Sequence, residues 1–343
     1  MTKYDEFSRR TFLKGTGATL GTGALASLPL RRAFAAAYPE RNINVIIPTR
    51  EGGGADRLMR AFGNVWKTQL KTNFETTFVP AASGRAAYEQ YMGKREPDGY
   101  NLLFGNMGPE VLNWVVQKPT FDLKDFTYFL QVDIDPSTLF ISPKGKFKTI
   151  DEIVAEGKKR TLTVATSRLA HPASIGMLLL AEQTGMKVNL VPFSGGRNTI
   201  AAVTTGETDI GVLPMGGLPG PDAVKIAMLF MKENKWKKRT QDAPTMNAKF
   251  NMNTPSLISA RAFGIHVKAM EKFPDRFKLL QQTAEKVFKD PAFPEELKRA
   301  AQDPELIAPG GIQECQEYSK QIADIGERYK ALMTGKPAAA KKG

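Results

Sequence analysis

Short apolar segments alternate along this chain with stretches whose apolar residues recur at helical spacing, and this alternation most constrains how the chain can fold. Ile43 to Pro48 is predicted to be a strand, and the apolar residues from Leu58 to Leu70 are spaced to form one face of a helix. The same pairing recurs where a predicted strand, Leu162 to Ala165, precedes a predicted helix, Ala173 to Thr184. The pattern predicts an α/β protein.

The remaining elements fall into two units. Further strands are predicted at Thr76 to Val79, Tyr100 to Phe104, Thr138 to Ile141, Val188 to Val191, Asp209 to Leu213, Val224 to Phe230 and Ser256 to Val267, and further helices at Thr149 to Lys159, Asn198 to Thr205, Asp275 to Lys289, Pro294 to Gln302 and Ile312 to Met333. A predicted capping box at Thr149 and Glu152 starts a new unit, and the chain turns strand-like again after Ser256. We therefore expect two α/β lobes, residues 38–143 plus 256–334 and residues 144–255, and a disordered Ala/Lys-rich tail at 335–343.

The first 37 residues are predicted to be a twin-arginine export signal. Arg9 and Arg10 precede an apolar stretch rich in Gly, Ala and Thr from Gly15 to Leu30, and Ala33-Phe34-Ala35 or Ala35-Ala36-Ala37 fits a small-x-small cleavage site. The alternatives are a short amphipathic helix and a membrane anchor that stays in place. A stretch interrupted by glycines is short for a span of ~30 Å of hydrocarbon, so we expect a mature protein in the periplasm.

Composition excludes several classes of protein. Hydrophobic residues make up 42% of the 343-residue chain, which is enough for a packed core and too much for a disordered chain. The only cysteine is Cys315 and the only histidines are His171 and His266, so a disulfide scaffold and a cysteine-ligated zinc site are excluded and no metal is expected. The net charge of +13 favours small anionic ligands, although a solvated basic surface explains it equally well. Export, and basic residues without a stacked-aromatic motif beside them, argue against nucleic acid as a partner.

Four turns between a predicted strand and a helix are the best candidates for ligand binding. They are Thr49 to Asp56, Gly105 to Gly108, Thr166 to Ser174 and Phe193 to Asn198. Glycine lets backbone N–H groups approach a ligand, and a helix N-terminus carries unpaired donors and a partial positive charge. Two facing lobes with such turns would suit an anion that has a carboxylate at each end. The simpler explanation for each turn is tight packing of the helix against the strand.

Several residues in these turns have two interpretations. Asp56 is either a capping residue of the first helical turn or a ligand contact. Arg50 and Arg197 are either exposed or paired with a carboxylate. His171 precedes a predicted helix and is expected to be a cap or a surface residue rather than a general base. His266 lies in an apolar strand and is expected to be structural.

No catalytic motif is present. The triplet Gly52-Gly53-Gly54 lacks the G-x-G-x-x-G frame, and the chain has neither a G-x-x-x-x-G-K-[ST] loop nor a G-x-S-x-G elbow. We find no paired carboxylates with a base, so neither enzymatic activity nor a cofactor is expected. The alternative is an exported enzyme with a cofactor, because twin-arginine substrates cross the membrane folded.

A series of short motifs resembles a known family. The motifs are Gly52-Gly53-Gly54-Ala55-Asp56, Pro97-Asp98-Gly99-Tyr100, Val191-Pro192-Phe193-Ser194-Gly195-Gly196, Gly206-Glu207-Thr208-Asp209, Ala243-Pro244-Thr245 and Arg261-Ala262-Phe263-Gly264. In their order and spacing across residues 38–333, the chain resembles the periplasmic substrate-binding proteins of tripartite tricarboxylate transporters, the Bug-type receptors. The resemblance implies a two-domain periplasmic-binding-protein (Venus flytrap) fold, with the ligand cleft between two Rossmann-like lobes.

The resemblance also implies a function and a binding site. The protein would be a receptor without catalytic activity or cofactor, expected to be a monomer, that holds a small organic anion such as a carboxylate for the membrane permease subunits of the transporter. Delivery of the ligand to a membrane sensor kinase is an alternative. The residues implied to bind the ligand are Thr49, Arg50, Glu51, Gly52, Gly53, Gly54, Ala55, Asp56, Gly105, Asn106, Met107, Thr166, Ser167, His171, Ala173, Ser174, Phe193, Ser194, Gly195, Gly196 and Arg197.

This chain departs from the family pattern at three places. Arg50-Glu51 stand where small residues or proline are common, Arg168 and Ala170 stand where glycines are usual, and Leu213-Pro214 replace an acidic-amide pair. These departures indicate an atypical ligand.

Overall fold

Ten strands make up one mixed sheet in the computed structural model, which describes residues 38–334. The strands are β1 (Ile43–Ile47), β2 (Phe74–Phe78), β3 (Asn101–Asn106), β4 (Phe126–Ile141), β5 (Leu162–Thr166), β6 (Val188–Pro192), β7 (Ile210–Pro214), β8 (Lys225–Leu229), β9 (Ile258–His266) and β10 (Ile307–Gly310). Their order is β2-β1-β3-β9-β4-β7-β5-β6, with β8 and β10 also paired to β4. Strands β2, β1 and β3 run parallel, as do β6, β5 and β7.

Helices connect and cover these strands, mostly where the sequence predicts them. They are α1 (Gly54–Leu70), α2 (Arg85–Lys94), α3 (Met107–Val116), α4 (Ile150–Lys159), α5 (Pro172–Thr184), α6 (Gly196–Thr204), α7 (Lys237–Thr240), α8 (Met246–Phe250), α9 (Val267–Lys272), α10 (Pro274–Val287), α11 (Ala292–Arg299) and α12 (Ile312–Met333). The predicted capping box of α4 is half formed. Thr149 Oγ1 accepts from Glu152 N at 3.3 Å, but the Glu152 carboxylate accepts from Lys148 N at 2.7 Å, one residue before the cap.

Strand β4 joins two sets of strands. Its first part, up to Pro136, pairs with β9 and β10, and its last part, from Ser137, pairs with β7 and β8. The predicted strand at Thr138 to Ile141 is therefore only the end of a 16-residue strand. The first part was not predicted because polar residues occur between Gln131 and Asp135. Apolar residues nevertheless occupy every second position from Phe126 to Ile134, which is the spacing expected of a strand. The lobe boundaries at 143 and 255 stay a prediction.

Aromatic side chains on α1 anchor the first set of strands. Leu58, Phe62 and Trp66, spaced four residues apart, are completely buried. The ring of Phe62 lies 5.3 Å from that of Phe263 in β9, and Trp66 Nε1 donates to Thr283 Oγ1 in α10 at 2.9 Å. Each such side chain contributes about 1.5–3 kcal/mol by burial, so α1 is held firmly and its N-terminus has a set position at the end of β1.

Two sequence predictions lie outside the described residues. These are the export signal at 1–37 and the tail at 335–343. Within 38–334, each helix falls short of the length and apolar character that a membrane span requires.

Replacing Gly264 by alanine should destabilise the fold. Gly264 lies in the middle of β9, and a Cβ at this position would overlap the ring of Phe126. Overpacking of this kind costs about 1–3 kcal/mol. Gly93→Ala is the matched control, because a Cβ in this exposed part of α2 meets nothing within 4 Å. In urea unfolding, the free energy of unfolding should be lower than in the wild type for Gly264→Ala and higher by about 0.5–1 kcal/mol for Gly93→Ala. Equal stability of the two variants would contradict this account.

Candidate functional site

The carboxyl ends of five strands, two from one parallel set and three from the other, meet at one cavity. Thr49 follows β1, Asn106 ends β3, Ser167 follows β5, Gly195 follows β6, and Pro214 ends β7; all five line a cavity of about 540 Å³, here called the strand-end cavity. In open α/β sheets this edge is where ligands bind. An adjoining space of about 850 Å³, the glycine-loop cavity, is lined by residues 49–55 and by side chains of β4 and β9.

The N-termini of α1, α3, α5 and α6 lie at the same place. Their N-cap residues are Gly53, Asn106, His171 and Gly195, and each of them lines one or both cavities. The first N–H groups of a helix have no acceptor within the helix, and they carry the positive end of its dipole. The N-termini of α3, α5 and α6 at the strand-end cavity, and that of α1 at the glycine-loop cavity, therefore favour a negatively charged group in these spaces.

The first glycine turn is held from within by Asp56. Its carboxylate is only 2% exposed and accepts from Gly52 N at 2.8 Å and from Arg60 Nε at 2.6 Å. Of the two interpretations of Asp56, the structure therefore supports the stabilising one. Glu51 is exposed and pairs with Arg60 at 3.0 Å. Arg50 lines both cavities, and its guanidinium has neither a hydrogen bond nor an ion pair with any described residue, while its carbonyl accepts from Gly53 N at 3.2 Å.

Two polar atoms at the ends of β1 and β3 have no partner. Thr49 Oγ1 and Asn106 Oδ1 are buried without a hydrogen bond in the described part of the chain, and both residues line both cavities. Buried polar groups are almost always paired, with protein, water or ligand. The neighbouring Gly105 and Met107, also predicted to bind ligand, are packed into the core instead.

The turn after β5 is braced by its own hydroxyl groups. Thr166 Oγ1 lies 2.7 Å from Ser174 Oγ, and both hydroxyls contact the carbonyl of Arg168, at 3.1 and 2.9 Å. Thr166, Ala173 and Ser174 are fully buried, whereas Ser167 and Arg168 line the strand-end cavity. The buried residues therefore set the conformation of the turn.

His171 caps α5 as a neutral ring. Its Nδ1 accepts from Ala173 N at 3.1 Å, and its side chain is 4% exposed. Burial, together with the nearby positive charge of Arg168, lowers the pKa of His171 to about 3. His266 is also buried, stacked on Tyr91 at 4.5 Å, and burial lowers its pKa. His171 is thus the cap of α5 and also lines the strand-end cavity, and His266 is structural, as expected.

The turn after β6 contributes mainly backbone. Gly195 and Gly196 line the strand-end cavity. Phe193 is half-buried, and Ser194 and Arg197 are exposed; all three lie outside the described lining of either cavity.

The wall of the glycine-loop cavity contains an ion pair that was not predicted from the sequence. Arg261 donates from N and Nε to Asp133 Oδ1, both at 3.0 Å, and from Nη1 to the carbonyl of Gly54 at 2.8 Å. Arg239 pairs with Asp303 across the same cavity. Arg261 stood in a motif shared with the family, but only the alternation along β4 could have placed Asp133 on the cavity side.

A second acidic residue of β4 lies between the two cavities. Asp135 lines both of them and accepts from Gly216 N at 2.6 Å. Burial raises the pKa of Asp135 to about 6, although the Gly216 amide and the guanidinium of Arg261 oppose this shift. The site therefore contains acidic as well as basic groups.

Glu110 and Arg168 both line the strand-end cavity. Glu110 is on α3, which follows β3 of one set of strands, and Arg168 is in the turn after β5 of the other set. Glu110, on α3, is 2% exposed, and its Oε2 accepts from Asn106 N and from the Tyr88 hydroxyl. Burial raises the pKa of Glu110 to about 7 against the opposing charge of Arg168. Among residues 38–334, no group of three or more His, Cys, Asp or Glu side chains is arranged to hold a metal ion.

Comparison with known proteins identifies related receptors. The family model described as tripartite tricarboxylate transporter family receptor matches residues 79–336. BugT of Bordetella pertussis is 26% identical over 163 residues, which are 46% of this chain and 50% of BugT. The chain spans about half the length of the curated relatives that it matches.

Solved structures show the same fold. A TctC solute binding protein from Polaromonas has a TM-score of 0.69 at 19% identity, over 87% of this chain and 99% of that one. MatC from Rhodopseudomonas palustris, solved with bound malate, has a TM-score of 0.64 at 18% identity, over 86% of this chain and 100% of its own. The predicted periplasmic-binding-protein fold is therefore confirmed.

Replacing His171 by asparagine should make the fold less sensitive to acid. The unfolded chain binds a proton at His171 below about pH 6.5, and the folded protein does so only near pH 3. Stability is therefore lost as the pH falls between these values, by up to about 1.4 kcal/mol per pH unit. Asparagine keeps an N-cap acceptor without this titration.

The measurement is the difference in unfolding free energy between the wild type and His171→Asn across pH 3–6.5. Glu110 and Asp135, with raised pKa values, have the opposite pH dependence in both proteins, so the difference isolates the histidine. A difference that stays constant with pH would contradict the neutral buried ring.

Proposed function

The chain belongs to the tripartite tricarboxylate transporter receptor family, and we propose that it captures a small carboxylate in the periplasm for the permease subunits of such a transporter. As a member of that family it is a solute-binding receptor and not an enzyme, as the sequence resemblance predicted. The periplasmic location, export by the twin-arginine pathway, the monomeric state and the partner permease are parts of this proposal.

The helix N-termini that line the two adjoining cavities carry the proposal. The starts of α3, α5 and α6 lie at the strand-end cavity and the start of α1 lies at the glycine-loop cavity, and the positive ends of their dipoles favour a negative charge there. The unpaired side chain of Arg50 adds a full positive charge at the mouth of the same space. A carboxylate suits both features.

The dimensions favour a small ligand with more than one polar end. A cavity of about 540 Å³ is within the range of small-molecule sites. The unpaired polar atoms of Thr49 and Asn106 lie where it joins the glycine-loop cavity, so a second polar group of the ligand would find partners there. MatC, which shares the fold, was solved with malate, a dicarboxylate. We therefore assign the ligand to the small dicarboxylates and their hydroxylated or branched relatives.

The proposed binding residues are those of the predicted set that line the cavities. They are Thr49, Arg50, Glu51, Gly52, Gly53, Gly54, Ala55, Asn106, Ser167, His171, Gly195 and Gly196. We propose further that the two lobes close on the ligand, since the lining comes from both sets of strands that β4 joins.

Calorimetry with malate, succinate, glutarate, adipate and citrate tests this function. The protein should bind at least one of these anions saturably, and should not bind its uncharged diamide. Arg50→Ala should weaken binding by about 1.5–3 kcal/mol, roughly tenfold to 150-fold, because a charge-assisted contact is lost. Arg197→Ala is the matched control, since this arginine is exposed and lies outside the described cavity lining.

Absence of binding for the whole panel would overturn the proposed ligand class. Equal affinities of Arg50→Ala and the wild type would remove Arg50 from the site, and binding would then depend on backbone amides and hydroxyls.

Replacement of Arg9 and Arg10 by lysines should block export. The twin-arginine machinery reads the arginine pair itself, so a change that keeps the charge should leave the precursor in the cytoplasm. The control is the same change at Arg31 and Arg32, close to the predicted cleavage site. Cell fractionation and the size of the protein give the result. Normal maturation of the Arg9/Arg10 variant would refute this export route.

A further inference from the structure

Glu110 is a buried carboxyl group at the wall of the strand-end cavity. The donors to it, Asn106 N and the Tyr88 hydroxyl, both contact Oε2, and no described residue donates a hydrogen bond to Oε1. The ionisable groups that face Glu110 are Tyr88 on α2, Tyr128 on β4 and Arg168 after β5. Burial raises the pKa values of both tyrosines well above the usual value, so their hydroxyls stay neutral.

Arg168 faces the same cavity with an unused guanidinium. Its carbonyl accepts from Thr166 Oγ1 and Ser174 Oγ, so its main chain is fixed. Its side chain forms no hydrogen bond and no ion pair within residues 38–334, and Glu110 is the one group whose charge stabilises it. A desolvated guanidinium offers a planar fork of donors that matches a carboxylate.

The remaining charged groups of the strand-end cavity have other surroundings. Asp135 is bound by Gly216 N and interacts with Asp133, Arg239 and Arg261. Arg50 is exposed, and His171 is neutral above about pH 3. Arg168 and Glu110 therefore interact mainly with each other. Glu110 is the one acidic group near Arg168, and the two side chains do not form an ion pair.

We propose that Arg168 binds a carboxylate of the ligand and that Glu110 takes up a proton from solvent as this happens. This inference rests on the proposed function. A ligand carboxylate beside Arg168 brings a second negative charge next to a buried carboxylate, and two such groups sharing a site do not both stay ionised. The ligand carboxylate replaces Glu110 as the anionic partner of Arg168, and Glu110 binds a proton and becomes neutral.

The coupling has a defined pH dependence. In the free protein the pKa of Glu110 is about 7, so the group is largely ionised at pH 8 and must then be protonated for binding. The dissociation constant should therefore rise about tenfold per pH unit above pH 7 and level off below it. The carboxyl groups of the ligand and Asp135, which titrate lower, stay ionised throughout this range.

Calorimetry at pH 8 in HEPES and in Tris measures the proton directly, because these buffers differ in ionisation enthalpy. With malate and the other dicarboxylates of the panel, the wild type should take up between about half a proton and one proton per molecule bound. Glu110→Gln should bind with no proton uptake and with an affinity independent of pH above 7. Arg168→Ala should lose at least about tenfold in affinity.

Two matched variants exclude indirect effects. Glu89→Gln replaces a glutamate of α2 that pairs with Arg85 away from both cavities and should keep the full proton uptake. Arg197→Ala should keep the affinity. Circular dichroism and thermal unfolding will check that Glu110→Gln is folded. The proton uptake of the wild type can be measured even if a variant does not fold.

The outcomes separate the two claims. If the wild type binds none of the panel, the proposed ligand class fails and this inference with it. If it binds without proton uptake, or if Glu110→Gln takes up the same fraction of a proton, the coupling to Glu110 is wrong while the receptor function stands. Unchanged affinity of Arg168→Ala would overturn the role of Arg168 alone.

Discussion

The buried ion pair between Arg261 and Asp133 holds the wall of the binding region together. It links β9 to β4 through three nitrogen–oxygen contacts, and it ties both strands to the glycine turn through the carbonyl of Gly54. A buried charge is costly unless it is paired and hydrogen-bonded, so each member of the pair requires the other. Because Arg261 is neutralised inside the wall, the charge of a ligand has to be met by other groups.

Most basic side chains around the cavities are already engaged. Arg239 is paired with Asp303, Arg261 with Asp133, and Arg57 Nη1 donates to the carbonyl of Gly52 at 2.8 Å. The side chains of Arg50 and Arg168 differ from these, because neither forms an ion pair within the described residues. Arg50 is exposed, and Arg168 is desolvated near Glu110. The net charge of +13 thus gives no guide to the site. The local combination of helix N-termini with a few cations that lack a strong partner is what favours a negative charge in the cavities.

The strand–turn–helix units were predictable because their signals are local. The period of α12 and the glycines after β1 and β6 are read from neighbouring residues, and the observed bounds of α12 agree with the prediction. The direction of each side chain within a turn was not predictable. Ser167 faces the cavity while Thr166 faces the core, since successive residues at the end of a strand point to opposite sides and a shift of one residue reverses them.

By itself, the sequence determined the α/β class, the family and the turns that lie at the strand ends, because periodicity and the order of motifs can be read without knowing which residues are in contact. Only the tertiary structure decided which charges are paired. Asp133 and Arg261 form an ion pair although they are 128 residues apart, and Glu110 and Arg168 line the same cavity without forming one. The strength of such pairs and the pKa values near them depend on burial and distance, which are properties of the packed molecule and leave no pattern in neighbouring residues.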